Sequence, residues 1–159
     1  MTEENSLKLF INKANEKWII DRLRDEWIRN HNPITRFYKS ANMLWIIAPW
    51  KWDNKKLEKN SSRKVVCSVY HIDEEKFNKS EIEKFNFRDQ FVDAYHVISE
   101  NTHDQVRKYT DKKIYSIPFW INPEIWYPIQ NKDQLRKKYN IPIDSYLIGS
   151  FQRDTEGSD

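Results

Sequence analysis

The sequence predicts an α/β fold, a parallel sheet with helices on both faces, and two observations carry that expectation. Short apolar runs alternate with helical stretches at regular spacing along the chain, the pattern that builds parallel sheets through helical crossovers. The apolar runs are also near-continuous rather than alternating, as strands buried on both faces require. Composition sets the frame. The chain has 159 residues, 38% of them hydrophobic and 14% aromatic, enough for one domain and a piece of another and too apolar for disorder.

The elements follow in order. Leu7 to Ile11 (LKLFI) reads as the first strand. Asn12 to Asn15 form a turn, with Asn15 capping a helix from Glu16 to about Asn30. Ile19 or Ile20, Leu23 and Trp27 fall on one stripe of that helix, with Arg22–Glu26 and Asp25–Arg29 as charge pairs on its other side. Asn42 to Ala48 is a second strand, stopped by Pro49. Trp50-Lys51-Trp52 and a charged segment to Arg63 read as a poor helix or a loop. Lys64 to Tyr70 (KVVCSVY) is the third strand. Ser80 and Glu83 have capping-box spacing and open a helix to about Phe91. Tyr95 to Ser99 is the fourth strand, and Thr102 with Gln105 makes a second capping box for a helix to about Thr110. Lys113 to Ile117 is the fifth strand, stopped by Pro118. A short basic helix from Asn131 to Tyr139 and a final strand, Ser145 to Phe151 (SYLIGSF), complete the chain.

Several function classes are excluded. The only glycines are Gly149 and Gly157, so the earlier chain holds no Walker or dinucleotide-type phosphate loop. No G-x-S-x-G motif is present. The four histidines and Cys67 have no metal-ligand spacing, and there is no Asp-x-Asp pair, so no metal is expected. The 27 basic and 24 acidic residues are interleaved, for a net charge of +3, and no nucleic-acid partner is expected. Cys67 is the only cysteine, which fits a reducing compartment. The N-terminus lacks a signal-peptide core and no run is long enough to cross a bilayer. A cytoplasmic protein with at most peripheral membrane contact is the expectation.

Ligands of open α/β sheets bind at the carboxyl ends of the strands, near the point where strand order reverses. That rule selects Asn12, Lys13 and Asn15 after the first strand, Trp50 and Trp52 after the second, and His71 and Asp73 after the third. It selects Ser99 and Thr102 after the fourth, and Phe119, Trp120 and Asn122 after the fifth. A rim both aromatic and polar suits a sugar, whose ring face stacks on an indole while its hydroxyls take hydrogen bonds. Each residue also has a structural reading. Trp50 and Trp52 can cover the sheet end, His71 can be a satisfied structural histidine, Ser99 and Thr102 can be cap residues, and Trp120 can be linker packing.

The segments KVVCSVYHID, DAYHVISENTHDQVRKY, KKIYSIPFWINPEIWYP and SYLIGSFQRDTEG resemble consecutive pieces of a GT-B glycosyltransferase of the retaining group named after family 4. The likeness covers roughly residues 43 to 159 and rests on order and spacing: His71 after a central strand, Ser99 before a helix, Ile117-Pro118, Asn122 and Trp126-Tyr127-Pro128. It implies a Rossmann-like acceptor-side domain over residues 1–142, with residues 143–159 beginning a truncated donor-binding domain. It implies sugar transfer from a nucleoside-diphosphate sugar without a protein-bound metal or other cofactor, His71 near the reacting sugar, and Arg153 on the donor diphosphate. Asn12, Lys13, Trp50, Trp52, Asp73, Ser99, Trp120 and Asn122 would then contact the acceptor. The donor would bind through the missing C-terminal domain, so the chain alone is expected to be inactive. Two features depart from the family. The first loop, Asn12-Lys13-Ala14-Asn15, lacks its glycines, and the E-x7-E spacing of Glu75 and Glu83 falls before the fourth strand, on what reads as a solvated segment. The alternative is a stand-alone, non-catalytic Rossmann-like module that binds a glycan or nucleotide.

Overall fold

The computed structural model describes residues 6–31, 34–53, 58 and 62–149. The chain divides into two compact units, Met1–Ile121 and Asn122–Asp159. The first contains a five-stranded, all-parallel sheet of β1 (Leu9–Ile11), β2 (Met43–Ile46), β3 (Lys64–Val69), β4 (Ala94–Val97) and β5 (Lys113–Ser116), paired in chain order. Its helices are α1 (Ile19–Asn30), α2 (Lys79–Asp89) and α3 (Glu100–Arg107). The second unit contains α4 (Lys132–Lys138). The fold is therefore the Rossmann-like α/β arrangement expected, with helices on both faces.

Alternation along each strand sorts the core into two layers. Leu44, Ile46, Val65, Cys67, Tyr95 and Val97 point to one face and meet Phe85 of α2 and Val106 of α3. Leu9, Ile11, Trp45 and Ile47 point to the other and meet Ile20 and Leu23 of α1. Leu44, Ile46 and Val97 are at most 1% exposed, and each such burial stabilises the fold by roughly 1.5–3 kcal/mol. β5 is different. It is an edge strand with only Ile114 half-buried, and Lys113, whose ammonium lies over the Tyr115 ring, occupies its open face, a charge that discourages edge pairing.

The path between β1 and β2 detours beyond the outer edge of β1. Lys8 O accepts from Asn42 N and Met43 N on the β2 side, while Leu9 O accepts from Thr35 N at 2.8 Å on the outer side, where Ile34 bridges Leu9 in parallel. The chain thus leaves β1 over the α1 face, pairs briefly beyond the outer edge, and returns along the opposite face, where Tyr38 packs. The detour is carried by one bridge rather than a strand, and no apolar run marks it in the sequence.

Several local expectations are corrected. Asn15 is not the cap of α1. It sits at φ 59, and the helix begins later, at Ile19, with the Asp21 carboxylate serving the preceding amides. Glu26, expected on the outer face, is buried beside Ile20 and Leu23, with Arg22 at 3.6 Å. Asn78, not Ser80, caps α2, accepting from the amides of Ser80 and Glu81. Ser99, not Thr102, caps α3. Residues 145–149 form no strand, and Tyr146 and Ile148 are largely exposed. Without a paired neighbour, that run has nothing to satisfy its ladder hydrogen bonds. Phe151 lies outside the described residues.

Candidate functional site

The exit of β3 carries the candidate site. Three bonds from α3 clamp its backbone. The Thr102 hydroxyl donates to Tyr70 O at 3.1 Å, the Gln105 amide donates to Ile72 O at 3.0 Å, and Ile72 N donates to the Gln105 carbonyl at 3.2 Å. His71 lies between these two anchored residues and its side chain is exposed. Asp73 then starts the turn into α2, its carbonyl accepting from Lys76 N and Phe77 N. The hydrogen bond from Lys76 Nζ, at 3.1 Å, holds the Asp73 carboxyl below the usual carboxylate range.

A cleft of about 470 Å³ opens at this exit, lined by Trp50, His71, Asp73, Lys76, Phe77 and Glu81 among others. Three residues picked by the carboxyl-end rule, Trp50, His71 and Asp73, therefore meet in one place. Trp50 follows β2 on a 3-10 turn, Pro49–Lys51. It is 50% exposed, and its Nε1 donates to Glu16 Oε1 at 2.8 Å. Tyr70 stands edge-on to it with ring centroids 6.2 Å apart and stacks on Phe119 at 5.5 Å. The Tyr70 hydroxyl donates to Ile47 O at 2.9 Å, and burial pushes the phenol's pKa well up, so it stays neutral. Lys76, Phe77 and Glu81 were missed because their stretch reads as solvated and charged. The signal available was Asn78 ahead of Ser80 and Glu81, which places a helix start beside the β3 exit.

The exit of β1 is spent internally. Asn12 is 5% exposed and staples β1 to β2, its amide donating to Ala48 O at 2.8 Å and its carbonyl accepting from Ala48 N at 3.1 Å. The acceptor contact expected of Asn12 gives way to this staple. The amides of residues 14–17 form a concave nest, filled by Asp21: Oδ1 accepts from Ala14 N and Asn15 N at 3.0 and 3.1 Å, Oδ2 from Glu16 N and Lys17 N at 2.7 and 3.0 Å. Burial alone would raise the Asp21 pKa, but the four amide donors outweigh it and hold it low. Asn15 and Lys17 adopt φ 59 and φ 52, the left-handed conformation that glycine usually supplies. Lys13 points into a different groove, on the outer side of β1.

Other expected contacts are structural. Trp52 packs against Phe10 and Tyr38, with centroids 6.2 Å away in each case, so it covers core rather than the rim. Trp120 packs on Trp27 and Trp45. Ser99 is exposed, with its Oγ committed to Thr102 N at 3.2 Å. Behind this rim lies a buried relay that the sequence did not single out. Trp45 Nε1 donates to Ser68 Oγ at 2.9 Å, Ser68 Oγ meets His96 Nδ1 at 2.9 Å, and His96 Nε2 meets Ile117 O at 2.9 Å. An indole only donates and a carbonyl only accepts, so Ser68 donates to Nδ1 and the proton sits on Nε2. Burial pushes the His96 pKa down, in keeping with that neutral tautomer.

In the second unit, Asn122 Oδ1 accepts from Glu124 N at 2.9 Å, an Asx turn, and Trp126 is 60% exposed. Arg153 lies outside the described residues. Among the described residues, no group of three or more His, Cys, Asp or Glu side chains is placed to hold a metal ion, and no helix is long and apolar enough to cross a membrane. No family model, no curated protein and no solved structure matches the chain.

Proposed function

We propose that this chain is the acceptor-side domain of a retaining glycosyltransferase and that the β3-exit cleft holds a neutral acceptor sugar. One observation carries the reading: Trp50, His71 and Asp73, from two strand exits, line a single cleft of about 470 Å³. An exposed indole offers a face for the apolar side of a pyranose. The cleft's charges are paired locally, Asp73 with Lys76 and Glu81 with Lys84, which favours a hydroxylated neutral ligand over a phosphate. His71, exposed on an anchored backbone, would lie against the reacting hydroxyl. The donor, a nucleoside-diphosphate sugar, would bind elsewhere.

The test is ligand-observed NMR with a panel of neutral mono- and disaccharides, paired with calorimetry using UDP- and GDP-sugars. Saccharide contacts that Trp50→Ala abolishes, with no heat from the nucleotide sugars, support the reading. Tight nucleotide-sugar binding by this chain overturns it. The cleft is complete within the first unit, which favours a second reading, a non-catalytic glycan-binding module. That reading predicts saccharide binding without transfer when the full-length gene product is assayed with nucleotide sugars.

A further inference from the structure

A second cleft lies on the outer side of β1, beside the Ile34 bridge. It measures about 660 Å³ and is lined by Phe10, Ile28, Ile34 and four charged side chains, Lys13, Arg24, Asp25 and Arg36, among others. Three elements supply its cations: the β1 exit, α1, and the segment that follows the Ile34 bridge. Arg24 is held in place. Its side chain is 15% exposed, Nε donates to Ile11 O at 3.1 Å and Nη1 to Asp25 Oδ1 at 2.9 Å. Its Nη2 has no partner among the described residues. Lys13 and Arg36 are both exposed, and neither has an ion pair or side-chain hydrogen bond among the described residues. Among the described residues, Asp25 is the single acidic side chain lining the groove.

We propose that this groove binds the phosphate group of a phosphomonoester. Three cations against one carboxylate leave an excess positive charge, and apolar walls at Phe10, Ile28 and Ile34 reduce its screening. A guanidinium held in place with its Nη2 left unpartnered among the described residues offers a charged N–H donor to a phosphate oxygen. The volume exceeds that of inorganic phosphate, so the phosphate would be one end of a larger molecule, of about the size of a sugar phosphate. The site is separate from the β3-exit cleft and does not rest on the carbohydrate reading of that cleft.

The test follows the Arg24 Nε and Ile11 amide resonances by NMR while the intact chain is titrated with glucose 6-phosphate, glucose and inorganic phosphate. A parallel sedimentation assay uses phosphatidylglycerol vesicles, with phosphatidylcholine vesicles as control. Saturable shifts with glucose 6-phosphate, weaker ones with inorganic phosphate and none with glucose are expected. The double variant Lys13→Glu, Arg36→Glu, both exposed and remote from the core, should weaken binding by about tenfold or more with an unchanged melting temperature. Absence of saturable shifts, equal response to glucose, or shifts unaffected by the double variant overturns the proposal. Sedimentation with phosphatidylglycerol without any response to glucose 6-phosphate overturns it too, since the phosphate recognised would then be a lipid headgroup's.

Discussion

The exits of β1 and β3 lie in the same sheet, both pointing toward the end where ligands of open α/β sheets bind, yet they are built in opposite ways. After β1, side chains are consumed in holding backbone: Asn12 bonds both polar groups of Ala48, and Asp21 fills the amide nest of residues 14–17. After β3, the backbone is held from outside, by Thr102 and Gln105 of α3, and the local side chains His71 and Asp73 are left at the cleft. Rigidity is achieved in both loops. Only the second arrangement turns its own side chains into the β3-exit cleft, whereas after β1 Lys13 lines the separate outer groove. The exit of β5 extends the contrast, since its Ile117 carbonyl is held from behind by buried His96.

The largest effect is expected behind that third exit. Ser68→Ala strands two buried groups at once, Trp45 Nε1 and His96 Nδ1. At about 1–3 kcal/mol for each unsatisfied buried group, the loss should be about 3 kcal/mol, read by urea denaturation. His96 has a lowered folded pKa, so the unfolded chain binds its proton first as pH falls. Its contribution is complete above about pH 6.5 and is lost as pH drops through the folded value. Wild-type stability should decline across that window, and the decline should flatten in His96→Gln.

The next effects test the contrast directly. Gln105→Ala frees the Ile72 amide and carbonyl and should cost about 2 kcal/mol. It should also weaken saccharide binding, because the turn carrying His71 loses its brace. Asp21→Ala should cost about 1 kcal/mol, in the range of a lost helix cap, and leave saccharide binding unchanged, since the β1 exit is spent on itself. The Asp21 pKa is lowered in the fold. Its stabilisation is therefore present above the ordinary carboxylate value of about 3.9 and vanishes as pH falls through the folded pKa. The stability gap between wild type and Asp21→Ala should be full at pH 7 and narrow below pH 4. Equal loss of saccharide binding in both variants would erase the distinction between the two exits.

The layers of the fold were legible because burial on two faces leaves continuous apolar runs such as KVVCSVY, although the run from Ser145 imitates them and residues 145–149 form no strand. Caps were less legible. Thr102 and Gln105 have the spacing of a capping box, but Ser99 has the same claim on Thr102 N, and the structure turns Thr102 and Gln105 sideways onto β3. Spacing along a helix does not reveal which strand lies beside it. Trp50 and Trp52 illustrate the same limit. Two residues apart on an irregular turn, they diverge, one into the cleft and one onto Phe10 and Tyr38. The cationic groove was illegible for a different reason. Lys13, Arg24 and Arg36 are brought together by a single bridge between Leu9 and Ile34, a pairing too short to leave a pattern.

The smallest expected effect on stability is the most informative for function. His71 is exposed and held through the backbone of its neighbours, so His71→Ala removes no buried contact and should change stability by less than about 0.5 kcal/mol. If His71 faces a bound sugar, the same substitution should still weaken saccharide binding in the NMR titration, with the Trp45, Ser68 and His96 resonances unmoved. Asp73→Asn gives the companion measurement. The Lys76 ammonium then loses its charged partner at 3.1 Å, while the backbone carbonyl at position 73 still accepts from Phe77 N. A loss of binding in both variants at constant stability would mean that the β3 exit is held rigid for the sake of its free side chains. Unchanged binding in both would make that exit as self-contained as the exit of β1, and the cleft would lose its claim to be the acceptor site.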